Sequence, residues 1–144
     1  MTGQIPDILT IQKFIFLLDD FHFAAFRSHL VKTNAALSVK LIDAVHKQLP
    51  DFDTHEALCR KVYSDYGKNN KQSFNQLTAY TFKLTYNLAQ NYPNYLHHNI
   101  QRIEKLVNDT KTEEANFIAD VLLDISQRVE DFQSSIFVLK FFIQ

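Results

Sequence analysis

The residues of this chain that are best suited to chemistry are His55, Glu56 and Cys59, which form the pattern H-E-x-x-C. On a helix His55 and Cys59 share a face, so both could reach one zinc ion while Glu56 acted as a base. No third ligand is marked by its spacing. The favoured interpretation is structural: Glu56 closes a capping box that begins at Asp53, and Cys59 packs in the core.

Other histidines and carboxylates lack a spacing that suits catalysis. His97 and His98 are adjacent, and neighbouring side chains on a helix point about 100° apart, so the two cannot chelate one ion. Asp19 and Asp20 are explained by a helix N-terminus, which favours acidic residues. The paired E-x-x-H pattern of di-iron proteins is missing. We therefore expect no catalytic residue, no cofactor and no metal ligand, and we interpret the protein as a non-enzyme.

Composition argues against sites that depend on glycine. The 144 residues include only 2 Gly and 3 Pro, whereas tight turns and hairpins generally draw on both. The chain has no G-x-S-x-G nucleophile motif, and it has no phosphate-binding or dinucleotide-binding glycine pattern. These observations favour an all-α fold.

Tyrosines supply the strongest candidate for recognition. Aromatic rings with a polar tip suit half-exposed sites, where the ring is buried and its hydroxyl is solvated. A ligand groove or an interface could therefore be lined by Tyr80, Tyr86, Tyr92 and Tyr95. The alternative is that these rings pack in the core, as aromatic residues at helical spacing more often do.

Apolar residues follow the helical period along almost the whole chain, which predicts seven or eight short helices. Their connections are short, so consecutive helices should run antiparallel. The predicted helices cover 8–18, 21–31, 38–49, 54–66, 73–91, 93–108 and 112 onward, with an eighth from about 131 that could instead continue the seventh. The helix at 73–91 carries apolar residues on two faces and is expected at the centre of the domain.

The segment 136–144, IFVLKFFIQ, is apolar on nearly every side and has no capping residue. Such a helix needs a cover: a neighbouring helix, a second copy of the chain, or residues of a longer protein. We expect an interface, and a possible dimer, formed by Phe137, Leu139, Phe141 and Phe142. Residues 1–144 would form a single helical domain, which could be the N-terminal part of a longer protein.

Charge and hydropathy limit the partners. The net charge is −1 and the basic residues are scattered, so nucleic acid is not expected as a partner. No window is apolar over the ~18 residues of a membrane span, so no membrane is expected either. Cys59 is the single cysteine and no secretory signal is visible, which favours a cytoplasmic location.

The sequence thus predicts an all-α domain, either a solenoid-like α-α superhelix that is similar to helical repeats or an irregular helical bundle. Its expected function is that of a non-catalytic interaction or scaffold domain that binds a protein partner or itself through apolar surface. The alternative is a small helical protein or enzyme that binds a metal or ligand, with a pocket near His55 and Cys59 or near the tyrosines.

Overall fold

The computed structural model describes residues 7–91 and 94–128. Within these residues it contains helices and no strand, which confirms the all-α fold. The helices are α1 (Asp7–Leu17), α2 (Asp20–Lys32), α3 (Ala36–Gln48), α4 (His55–Tyr63), α5 (Lys68–Asn91), α6 (Asn94–Asn108) and α7 (Thr112–Arg128). The predicted eighth helix and its interface residues, together with Tyr92, lie outside the described residues.

Helix α1 is the centre of the described bundle. None of its eleven residues is exposed. The side chains of Ile11, Phe14 and Leu17 are each at most 2% exposed. It contacts α3, α5 and α7. We expected α5 in this position; α5 also contacts three helices, but it keeps an exposed face that includes Tyr80.

The contact between α1 and α7 decides between the two predicted architectures. In a solenoid each unit contacts only its neighbours along the chain. Here α7 packs on α1, the most distant described helix in sequence. Two ion pairs join the same helices, Lys13 with Asp124 and Arg128 with Asp7. The described helices therefore form an irregular bundle around α1.

The start of α4 is capped by a different residue from the one predicted. The Thr54 hydroxyl accepts a hydrogen bond from the Ala57 backbone N–H at 3.1 Å. Asp53 lies one residue earlier, and its carboxylate is 2.6 Å from the Lys61 ammonium. The predicted capping box between Asp53 and Glu56 is therefore wrong, although a helix does begin here.

The junction between α4 and α5 also differs from the prediction. We expected α4 to stop at Gly67 and a loop to cover 68–72. Instead, Ser64 adopts a left-handed conformation with φ 76° and ends α4, and α5 begins at Lys68. The Asp65 carboxylate accepts from the Gly67 N–H at 2.9 Å. We expected Ser73 to be the side-chain cap of this helix. The side-chain acceptor just before α5 is instead Asp65, in the short connection after α4.

Ser38 has a tertiary role. We expected Ser38, or Asn34 a little earlier, to begin the third helix; α3 begins at Ala36, between the two, and no side chain caps it. Ser38 is 1% exposed and its hydroxyl lies 2.9 Å from the Thr81 hydroxyl of α5. This hydrogen bond satisfies two buried hydroxyls and joins α3 to α5.

None of the helices within 7–91 and 94–128 has both the length and the apolarity needed to cross a membrane.

Candidate functional site

His55 and Cys59 lie together, as their spacing predicts, but in a packed environment. The His55 ring stacks edge-on against Phe74 at 4.8 Å, and its Nδ1 is 3.1 Å from the Tyr66 hydroxyl. Cys59 is fully buried, and its thiol donates to the Asp65 carbonyl at 3.6 Å. Burial, followed by the charge of Asp65, raises the pKa of this thiol. Such a thiol is a poor nucleophile at neutral pH.

A metal site needs at least three converging donors. In the part of the chain that the structure describes, no three side chains of His, Cys, Asp or Glu come close enough to hold an ion. His55 and Cys59 thus contribute two donors without a third. Their arrangement is that of a small aromatic cluster with a hydrogen-bonded thiol at its edge.

The predicted tyrosine groove is divided between different environments. Tyr95 is 2% exposed and packs edge-on against Phe14 at 5.8 Å, so it belongs to the core. Tyr86 is half-buried beside Phe82, with ring centroids 6.2 Å apart. Tyr80 is 49% exposed on α5. Tyr92 lies outside the described residues, so its part in a groove stays a prediction.

Two open cavities meet on another surface, where α1, α6, α7 and the α3–α4 connection come together. Their volumes are about 550 and about 580 Å³, within the range of ligand pockets. Both are lined by Phe16, Pro50 and Arg102, and Phe117 completes the wall of the first. We call this surface the Arg102 groove; it comprises the two cavities and the four residues just named.

Arg102 stands where the two cavities meet. It is half-buried, and burial lowers the pKa of its guanidinium, although arginine remains protonated in proteins. Its Nη1 donates to the Asn99 Oδ1 at 2.9 Å, and its guanidinium carbon lies 5.4 Å from the centre of the Phe16 ring. No carboxylate of residues 7–91 or 94–128 forms an ion pair with it.

Asn99 holds this arginine in place. It is fully buried, and its amide nitrogen donates to the carbonyls of Leu17 at 2.9 Å and Tyr95 at 2.7 Å. Both amide protons are therefore directed at the backbone, and the amide oxygen faces Arg102. The guanidinium is thus oriented by a side chain that is itself fixed by α1 and α6.

An aromatic cluster forms the apolar wall of the groove. The Phe16 ring meets Phe117 at 5.3 Å and Phe52 at 6.2 Å, and Phe52 and Phe117 stack at 6.0 Å. Phe117 remains 39% exposed on α7. An exposed ring held by two others offers a rigid apolar contact, which suits recognition.

Acidic side chains flank the cationic centre on both sides. The first cavity is bordered by Asp51, Glu113 and Glu114, and the second by Asp19 and Asp20. The groove therefore has one half-buried positive charge in the middle and negative charge at both ends. This arrangement can bind an anionic group at Arg102 together with cationic groups beside it.

Sequence reasoning missed the Arg102 groove, although a signal was present. Asn99 and Arg102 are three residues apart on α6 and stand beside the apolar seam that contains Ile103. Two long polar side chains at the edge of a buried stripe indicate a polar contact within the fold. The other walls come from residues far apart in sequence, whose proximity no local pattern predicts.

No family model, no curated protein and no solved structure matches this chain.

Proposed function

We propose that the protein is a non-catalytic helical interaction domain that binds a segment of a partner protein in the Arg102 groove. One observation carries the proposal: Arg102 is oriented by Asn99 and half-buried between the two cavities, but it has no carboxylate partner in the described residues. Removing a cation from water is unfavourable unless an anion compensates for it. A carboxylate of the partner segment would supply that compensation. An apolar side chain next to this carboxylate in the segment would pack on Phe117.

The charges around the groove define the partner. Its segment carries an Asp or Glu that pairs with Arg102 and an adjacent aromatic or aliphatic side chain that packs on Phe117. Lysine or arginine residues on either side face Glu113 and Glu114 at one end and Asp20 at the other. Arginine pairs well with a carboxylate because its planar fork matches the two oxygens.

A library of random peptides displayed on phage and panned against the full chain tests this proposal. Selected peptides should share an acidic residue next to an apolar one, with basic residues around the pair. For one synthetic peptide, fluorescence anisotropy should show that Arg102→Gln weakens binding about 10- to 100-fold, as expected for a charge-assisted hydrogen bond of about 1.5–3 kcal/mol. Phe117→Ser should weaken it by about tenfold or more.

Two variants serve as matched controls. Tyr80→Ser removes an aromatic ring of similar exposure on α5, and Arg60→Gln removes an exposed arginine of α4. Neither should change peptide affinity by more than about twofold. Failure to select any peptide, or selection of peptides that bind Arg102→Gln as tightly as the parent chain, would contradict the proposal.

A stability measurement separates a binding role for Arg102 from a structural one. Arg102→Met removes the cation and also the donor to the buried Asn99 Oδ1. We expect this variant to lose about 1–3 kcal/mol of unfolding free energy, the cost of one buried acceptor without its donor, while it abolishes peptide binding. A loss well above about 3 kcal/mol would indicate that Arg102 serves the fold instead.

We assign this binding to the cytoplasm. The assignment is supported by the single cysteine, a buried free thiol whose only described contacts are within the fold. Localisation of a tagged full chain by microscopy tests it directly.

A further inference from the structure

The second cavity of the Arg102 groove combines charges of both signs with two histidines. Its lining includes Asp19 and Asp20 at the start of α2, His46 of α3, and His98 and Arg102 of α6. Histidine is the side chain whose charge ordinarily changes between pH 5 and 8. The described lining of the first cavity contains no histidine. The end of the groove beside α2 is therefore the one whose charge depends on pH near neutrality.

Packing places both histidines where a ligand in this cavity would meet their charge. The His46 ring stacks on the Phe23 ring, with centroids 4.0 Å apart and planes 11° from parallel. Because an aromatic face also binds a cation, His46 can keep this position when it is protonated. His98 is half-buried and lies close enough to Asp19 for their charges to interact. Neither ring has to move to change the charge of the cavity.

The other charged groups nearby do not reverse this effect. His22 also titrates, but its Nδ1 lies 2.7 Å from the Asp19 Oδ1, so its positive charge is matched by that carboxylate within the fold. Arg27 and Asp43 compensate each other across α2 and α3 at 2.8 Å. The first cavity contributes the carboxylates of Asp51, Glu113 and Glu114. Asp and Glu ordinarily titrate near pH 4, so the charge of the second cavity follows its histidines.

We propose that His46 and His98 determine, according to pH, which partner side chain is accepted at the α2 end of the Arg102 groove. The proposal rests on the binding function proposed above. With neutral histidines, Asp19 and Asp20 attract a lysine or arginine of the bound segment. Protonation of the two histidines places two positive charges beside these two carboxylates. The attraction for a basic residue is then cancelled in mildly acidic solution.

The effect of pH is a change of selectivity rather than simple release of the segment. Arg102 stays protonated throughout this pH range, so the contact with the segment carboxylate persists. His98 lies four residues before Arg102, on the same face of α6. When protonated it adds to the attraction for that carboxylate while it repels a neighbouring basic residue. The two effects oppose each other in the total affinity, but only the second distinguishes a basic side chain from a neutral one.

Two synthetic peptides that differ at one position test the proposal with the full chain. The first is a peptide selected by phage panning, and the second has glutamine in place of the basic residue at the α2 end. That residue is recognised because its replacement weakens binding to the parent chain more than binding to Asp20→Asn. Fluorescence anisotropy should show about fivefold preference for the basic peptide near pH 8 and less than about twofold near pH 5.5. The ratio of the two affinities cancels effects of pH that both peptides share.

Histidine variants assign the effect to its source. The double variant His46→Gln, His98→Gln should keep about fivefold preference at both pH values. His97→Gln is the matched control, because His97 is the exposed neighbour on α6 and lines neither cavity; it should behave like the parent chain. A preference that is equal at both pH values in the parent chain overturns this proposal and leaves the proposed function standing. A loss of preference in acid that the double variant retains does the same. Absence of peptide binding at both pH values contradicts the proposed function, and this proposal then fails as well.

Discussion

The side-chain amide of Asn99 donates a hydrogen bond at 2.9 Å to the carbonyl of Leu17, the last residue of α1. The last carbonyls of a helix have no partner within the helix. Here α6 provides one, from a residue that is fully buried and 82 positions away in sequence. The same amide orients Arg102 through its oxygen, so one side chain both closes α1 and fixes the centre of the groove.

Asn99→Leu should therefore lower the free energy of unfolding by about 2–4 kcal/mol, because it leaves the Leu17 and Tyr95 carbonyls without this donor in the core. Urea unfolding followed by circular dichroism measures this loss. Asn87→Leu, an exposed position on α5, should change it by less than about 0.5 kcal/mol. Equal effects of the two substitutions would contradict the role assigned to Asn99.

Gln12 forms a two-point clamp between α1 and the connection before α4. Its Nε2 donates to the Asp53 carbonyl at 2.9 Å, and its Oε1 accepts from the Asp53 N–H at 2.7 Å. Gln12→Leu should cost about 2–4 kcal/mol, because it deprives both backbone groups of their partner. Chemical denaturation measures the cost, and Gln76→Leu at an exposed site of α5 is the control.

Amide hydrogen exchange gives a local readout of the same clamp. In Gln12→Leu the Asp53 N–H has lost its acceptor, so it should exchange faster than in the parent chain. This increase should exceed the increase at amides elsewhere in the bundle. Unchanged protection at Asp53 would show that the clamp is not needed to hold this connection.

Asp19 makes stability depend on pH in the acid range. Partial burial raises the pKa of its carboxyl, but hydrogen bonds from the backbone and ring of His22, with the nearby charges of His22 and His98, outweigh that effect. The pKa in the folded protein therefore lies below the ordinary value of 3.8. A carboxyl group whose pKa is lower in the folded than in the unfolded protein stabilises the folded state at pH values above its unfolded pKa. This stabilisation is lost as the pH falls through the pKa of the folded protein.

Asp19→Asn should keep a capping oxygen but remove this titration. The variant should be less stable than the parent chain near neutral pH, and the difference should vanish as the pH falls from about 4 to about 2.5. Urea unfolding across that range measures it, with the exposed Asp109→Asn as the control. A difference that stays constant with pH would exclude the proposed role of the carboxylate.

The Cys59 thiol should react slowly in the folded protein, because it is buried and its pKa is raised. Labelling with a chromogenic disulfide should be at least about 100-fold slower without urea than in urea. A Ser73→Cys, Cys59→Ala variant places a thiol at an exposed site of α5 and should react fast in both conditions. Rapid labelling of the native parent chain, or stoichiometric zinc that Cys59→Ala abolishes, would favour the metal-binding alternative.

Most helix positions follow from local chemistry. Asp19 caps α2, as its place before an apolar helical pattern indicates, and its carboxylate accepts from the His22 N–H at 2.7 Å. Thr112 and the acidic residues after it begin α7 as expected. The predicted helix ends were wrong where two local signals competed. At 64–73, for example, Gly67 and Ser73 looked like an end and a start, but the turn at Ser64 and the Asp65 acceptor took those roles.

The sequence by itself determined the all-α class and most helix boundaries, because periodicity and capping act within a few residues. Tertiary structure alone decided that α1 lies at the centre, and that Phe16, Pro50, Arg102 and Phe117 line one groove. These residues are far apart along the chain, and each matches an ordinary helix or loop position. Their meeting depends on which apolar faces pack together, a choice made by the free energy of the whole bundle.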